Sequence, residues 1–108
     1  MVADGNIFAD IPPPRASEAI DAILATPNIR IERIVSHGQV SPPGFWYDQD
    51  QGEWVILLQG AAALLIDGAA EPVALRPGDY FFIPPHRRHR VHWTDPAGPT
   101  VWLAVHFA

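Results

Sequence analysis

The run Glu53-Trp54-Val55-Ile56-Leu57-Leu58-Gln59-Gly60-Ala61-Ala62-Ala63-Leu64-Leu65-Ile66-Asp67-Gly68 decides the fold class. It reads as two short strands, residues 53–58 and 61–66, around a tight Gln59-Gly60 turn. Asp67-Gly68 then signals a hairpin, because both central positions of a type I′ turn need positive φ. Alternation along the first strand puts Glu53, Val55 and Leu57 on one face and Trp54, Ile56 and Leu58 on the other.

Outward from this stretch the pattern of short segments between turn residues continues. Residues 73–75 precede the turn Arg76-Pro77-Gly78-Asp79, and Tyr80-Phe81-Phe82-Ile83 runs until Pro84-Pro85 breaks it. Residues 88–94 and 100–107 flank the loop Asp95-Pro96-Ala97-Gly98-Pro99, and residues 45–47 and 29–35 are strands on the N-terminal side. Short strands spaced by turns every ~8–12 residues read as a sandwich or barrel. Ahead of them, Pro12-Pro13-Pro14 forms a stiff entry. Ser17 can cap a helix reaching about residue 25, with Ile20, Ile23 and Leu24 at helical spacing, and Pro27 ends it. The expected organisation is an N-terminal segment with one short helix, residues 1–28, followed by an all-β domain, residues 29–108.

The chain has 108 residues, a formal net charge of -5 and no cysteine. That length supports one hydrophobic core. Without cysteine there are no disulfides, no thiolate-bound zinc or iron–sulfur cluster and no thiol catalysis. All seven basic residues are Arg, which excludes a lysine Schiff base. The acidic balance argues against nucleic acid and anionic membrane as partners. Met1-Val2-Ala3-Asp4-Gly5 lacks the basic and apolar regions of a secretory signal. The longest apolar stretch, residues 54–66, is interrupted at Gln59-Gly60 and falls short of the roughly 18–20 residues of a membrane helix. A cytoplasmic protein is expected, and its chemistry rests on His, Asp, Glu and aromatic side chains.

Three clusters could carry that chemistry. Glu53 heads an otherwise apolar face, where an unpaired charge costs several kcal/mol to bury. Two readings are open for it: a solvated strand end, or a carboxylate turned inward. In His86-Arg87-Arg88-His89-Arg90-Val91-His92-Trp93, alternation turns His89, Val91 and Trp93 to one face and Arg88, Arg90 and His92 to the other. The arginines read as a solvated edge that discourages sheet-to-sheet aggregation. His89, among apolar neighbours, reads as a structural histidine or a metal ligand. Trp46-Tyr47-Asp48-Gln49-Asp50-Gln51-Gly52 is a polar loop that gains interest from Glu53 behind it.

Taken together these residues resemble the cupin superfamily, written as the motifs G(X)5HXH(X)3-4E(X)6G and G(X)5PXG(X)2H(X)3N. Glu53 through Gly60 matches the E(X)6G half, Gly78 and Pro84 have the second motif's spacing, and His89 falls at its histidine. The resemblance covers about residues 30–107. It implies an all-β fold, a cupin-type jelly-roll barrel of two antiparallel sheets. To this the reading above adds one short N-terminal helix. The resemblance also implies a homodimer and a divalent metal (Fe, Mn, Zn or Ni) at the wide end.

The first motif departs from the family pattern. A four-residue gap before Glu53 places Trp46 and Asp48 at the HXH positions; a three-residue gap places Tyr47 and Gln49 there. Asp48 is the better ligand for a hard or borderline cation, which favours the four-residue gap. In the second motif His86 replaces the glycine and Trp93 the asparagine. The resemblance thus makes Asp48, Glu53, His89 and His86 the candidate metal ligands. Trp46, Tyr47, Tyr80, Trp93, Trp102 and His106 are the candidate lining for a small-molecule ligand. The implied function is dioxygenase-, isomerase- or lyase-like chemistry, or ligand binding and sensing without a catalytic metal.

Overall fold

A computed structural model describes residues 1–108. Its strands are β1 (Ala19–Ala25), β2 (Ile29–Ser36), β3 (Gly52–Gln59), β4 (Ala62–Ile66), β5 (Val73–Leu75), β6 (Tyr80–Ile83), β7 (His89–Thr94) and β8 (Thr100–Phe107). They form a five-stranded sheet, β1-β2-β8-β3-β6, and a three-stranded sheet, β5-β4-β7. Every strand pairing is antiparallel. The main core lies between the sheets, where Val55, Leu57, Leu64, Leu75, Ile83 and Trp102 pack together. Each comes from the inward half of an alternating strand, as a pleat with one buried face requires. No helix is long and apolar enough to cross a membrane.

The expected helix over residues 17–25 is instead the edge strand β1. Its register against β2 shifts between Ala22 and Leu24, leaving Ile23 as an extra residue. Such a bulge interrupts the two-residue alternation. That is why Ile20, Ile23 and Leu24 fall at a spacing that imitates a helix face. Pairing with β2 supplies the backbone partners that so short a helix would lack. The expected strand over residues 45–47 reduces to one bridge, Tyr47 to His89.

A second bulge lies between β4 and β7, where Ala63 pairs Trp93 but Leu64 pairs Val91. His92 is the extra residue, so Trp93 turns outward and the buried Thr94 takes the inward position. On the outer face of the larger sheet, Trp54 lies 5.7 Å from Tyr80 and Phe82 lies 5.9 Å from Phe107, ring centroid to ring centroid. With Ile29 beside them they form an exposed apolar surface of the kind that marks interaction sites. The N-terminal segment covers the other end of this face. Ile7 and Ile11 pack on Ala19, Val35 and Val101, while Arg33 donates hydrogen bonds to the Ile7 and Ala9 carbonyls.

Gly60 shows why the motif ends in glycine. It has φ +88°, and a Cβ there would lie 2.7 Å from the Thr100 Cα and 2.9 Å from the Pro99 carbonyl oxygen. Gly78 also has positive φ, at +93°, but faces open space. Left-handed backbone costs an L-residue roughly 1–2 kcal/mol, and overpacking against fixed backbone adds about 1–3 kcal/mol. Gly60→Ala is therefore expected to destabilise the fold by about 3 kcal/mol, against about 1 kcal/mol for Gly78→Ala, in urea unfolding curves.

Candidate functional site

A cavity of about 230 Å³ lies between the sheets. Its apolar wall includes Ile34, Val55, Leu64, Ile83, Val91 and Trp102; its polar groups are Glu18, Arg30, Glu32, Tyr47, Gln49, Glu53, His89 and His106. Strand pairing explains this selection. Residues directly opposite in an antiparallel pair share a face. Glu53 is opposite His106, and Tyr47 is opposite His89, so all four turn inward. The Tyr47 and His89 rings stack at 5.3 Å with 23° between their planes. The Tyr47 amide donates to the His89 carbonyl at 2.7 Å and the His89 amide returns the bond at 3.1 Å.

That bridge sets the parity of the preceding loop. Tyr47 and Gln49 line the cavity, while Trp46 and Asp48 lie outside it. Trp46 lies under the Arg88 and Arg90 guanidiniums, at 5.4 and 5.8 Å. Asp48 pairs with His86 Nδ1 at 2.8 Å on the surface, and Asp50 reaches the other ring nitrogen at 3.4 Å. The geometry therefore corresponds to the three-residue gap. It brings together Glu53 and His89 of the four candidate ligands and separates them from Asp48 and His86. Of the candidate lining residues, Tyr47, Trp102 and His106 face the cavity, whereas Trp46, Tyr80 and Trp93 do not.

Sequence reasoning missed Glu18, Arg30 and Glu32. Glu18 lies just before a segment read as helix. The signal for the other two was present, since Arg30 and Glu32 share the alternating face of Ile34.

The ionisable groups form one chain across the cavity. Arg30 Nε donates to Glu32 at 3.1 Å, and the other Glu32 oxygen lies 3.0 Å from His106 Nε2. Glu53 follows, its carboxylate oxygens 4.0 Å from His106 Nε2 and 3.6 Å from His89 Nε2. Glu53 is only 8% exposed, yet both distances exceed a hydrogen bond. His89 Nδ1 lies 2.8 Å from the Arg87 carbonyl oxygen, which can only accept, so Nδ1 carries the proton. Neutral His89 then points the Nε2 lone pair at Glu53; only the imidazolium satisfies both neighbours. Burial works against that charge, but Glu53 and the Arg87 carbonyl outweigh it, and the His89 pKa is raised.

Glu18 accepts a hydrogen bond from Ser36 Oγ, which accepts one from Trp102 Nε1 at 3.0 Å. Burial raises the Glu18 pKa and the Glu53 charge raises it further, against the lowering effect of Ser36. Burial also raises the Tyr47 pKa, and the Glu18 and Glu53 charges add to it, so the phenol stays protonated.

The donor set does not fit a resident divalent metal. Tyr47 and Gln49 occupy the HXH positions, and no three His, Asp or Glu side chains are grouped so as to hold an ion. His106 and Glu32 also line the cavity but are hydrogen-bonded to each other at 3.0 Å, which leaves Glu53 and His89, short of the three protein ligands usual for a catalytic centre.

His89 gives a pH dependence of definite sign. Its raised folded-state pKa favours the fold fully below the ordinary histidine value of 6.5, and that contribution is lost as pH rises through the folded value. His89→Gln is expected to flatten this fall in unfolding free energy. Glu53→Gln is expected to move the His89 ring titration, followed by NMR, to lower pH.

Comparison with known proteins agrees with this architecture. Residues 32–106 match the family model described as a cupin domain. A crystal structure of a proposed mannose-6-phosphate isomerase from Ralstonia eutropha JMP134 is 49% identical, with 98% of each chain covered and a TM-score of 0.94. A cupin superfamily protein of Desulfitobacterium hafniense DCB-2 is 17% identical over 90% of this chain and 83% of its own, with a TM-score of 0.73. A DMSP lyase of Ruegeria pomeroyi DSS-3 is 21% identical over 84% of this chain and 47% of its own, with a TM-score of 0.65. No curated protein sequence matches the chain. With the family model spanning most of the barrel, and a close structural relative along nearly the whole length, the chain belongs to the cupin family.

Proposed function

We propose that this cupin binds a small molecule inside its barrel without a resident metal. The observation that carries the reading is the cavity itself. An apolar wall with polar groups converging on one space is the usual composition of a small-ligand site, and here the polar share is large. Its volume of roughly 230 Å³ suits a compact molecule.

The cavity is poorly suited to a phosphorylated sugar. Arg30 is its only guanidinium and is already held by Glu32, and the chain has no lysine. Glu18, Glu32 and Glu53 line the same space and repel a dianion. The fold also offers no helix N-terminus to receive phosphate.

A second reading, proton transfer on the bound molecule, is favoured by the position of Glu53 between two imidazoles. A carboxylate flanked by imidazoles can take a proton and return it, the imidazoles being able to hold or supply one in turn. The relationship to the proposed isomerase of Ralstonia eutropha supports the same chemistry. Turnover of mannose 6-phosphate would displace the first reading in favour of the second.

Two measurements test the binding reading. Protein purified without chelator is expected to hold no stoichiometric Fe, Mn, Zn or Ni by elemental analysis. The Tyr47→His/Gln49→His variant is expected to take up one equivalent, because it completes a four-ligand set with Glu53 and His89; stoichiometric metal in the unaltered chain would sink the proposal. In a thermal-shift titration, a small alcohol such as 1-butanol should raise Tm, with about 2.7 kcal/mol of stabilisation at a hundredfold excess over Kd. Val91→Phe, which projects a ring into the cavity, should abolish that rise while the protein remains folded.

A further inference from the structure

The small-molecule reading leaves the ligand's chemistry open, and the polar groups of the cavity narrow it. Three acceptors in the cavity lining lack a hydrogen bond. Glu53 is nearly buried, faces the cavity and makes no hydrogen bond, its nearest imidazole nitrogens being 3.6 and 4.0 Å away. Gln49 Oε1 is fully buried in the cavity lining and has no partner. Neutral His89, with its proton committed to the Arg87 carbonyl, offers a third acceptor at Nε2. A buried acceptor left unpaired is costly, so a ligand that brings donors recovers that cost on binding.

Charge points the same way. Three carboxylates, Glu18, Glu32 and Glu53, face the cavity against one guanidinium, Arg30. Arg30 and His106 both contact Glu32, and Glu18 has only the Ser36 hydroxyl, which leaves Glu53 the least compensated. The raised pKa values of Glu18 and Tyr47, each partly owed to neighbouring carboxylates, report this negative environment. Tyr47 and Trp102 add aromatic faces, which attract cations.

We infer that the ligand of this cavity is a small organic cation bearing N–H donors, a primary or secondary ammonium, held by Glu53 and Gln49. The inference rests on the small-molecule reading of the same cavity and goes beyond it in naming the charge and donors of the occupant. A quaternary ammonium would satisfy the charge but leave Gln49 Oε1 without a donor. A carboxylate or phosphate would oppose Glu18 and Glu53 directly.

Isothermal titration with four compact probes tests it, using the intact protein at a pH above the His89 transition. Butylammonium should bind about tenfold more tightly than 1-butanol, and butanoate should bind most weakly. Tetramethylammonium should also bind more weakly than butylammonium. Glu53→Gln and Gln49→Leu should lose most of the advantage of butylammonium over 1-butanol. Equal or tighter binding of butanoate, 1-butanol or tetramethylammonium would overturn the cation inference while leaving the binding reading intact. Failure of all four probes to bind would remove both. The comparison among probes needs only the unaltered protein, so it decides the matter even if a variant does not fold.

Discussion

Residues opposite each other in an antiparallel pair must lie on the same face, and this parity determines what the barrel contains. Glu53 and His106 are opposite one another across β3 and β8, so a carboxylate and an imidazole enter the cavity together. The single bridge between Tyr47 and His89 does the same for a loop with no strand of its own. One residue of slip there would exchange Tyr47 and Gln49 for Trp46 and Asp48. Two backbone hydrogen bonds hold the parity, and the His86 amide adds a third by donating to the Gln49 carbonyl at 2.7 Å. The identity of the site thus depends on main-chain bonding at a loop as much as on side-chain chemistry.

What parity brings inward must then be tolerated electrostatically. An isolated carboxylate in an apolar interior costs several kcal/mol, and the fold answers differently for each of its three. Glu32 is shared between Arg30 and His106 and is the best compensated. Glu18 receives one hydroxyl, itself oriented by the Trp102 indole, and its pKa rises. Glu53 receives no hydrogen bond and instead lifts the pKa of His89. Stability given up at such a place is characteristic of a site kept for binding rather than for the fold alone.

Much of this was legible in the sequence, and the failures share one cause. The strands Val73–Leu75, Tyr80–Ile83 and Thr100–Phe107 were readable to the residue, because Pro, Gly and Asp mark their ends sharply. Glu53 and His89 were identifiable because each interrupts an alternating apolar face. The errors gather where the two-residue period breaks. A bulge at Ile23 made β1 resemble a helix, and a bulge at His92 turned Trp93 outward. The loop before β3 has no period at all, so the choice between Asp48 and Gln49 rested on ligand chemistry, while the backbone settled it by pairing with His89. Tyr80 was legible as a strand residue, but its facing depends on register against Ile56, which is a non-local fact.

The substitutions in the first motif change what can occupy the space between Glu53 and His89. In a barrel that supplies four good ligands, a divalent cation there would neutralise the carboxylate and require the imidazole to be deprotonated. Here Tyr47 and Gln49 supply a phenol and a neutral amide, weaker ligands than the two imidazoles of the family motif. Glu53 remains, and its charge still demands a positive partner. The nearest available one is a proton on His89 Nε2, which is the direction in which that ring's pKa moves. A proton satisfies the charge but leaves the rest of the cavity volume and the Gln49 oxygen unaddressed. Any molecule able to meet all three demands competes with that proton, so ligand affinity and the ionisation of His89 are coupled by thermodynamic necessity.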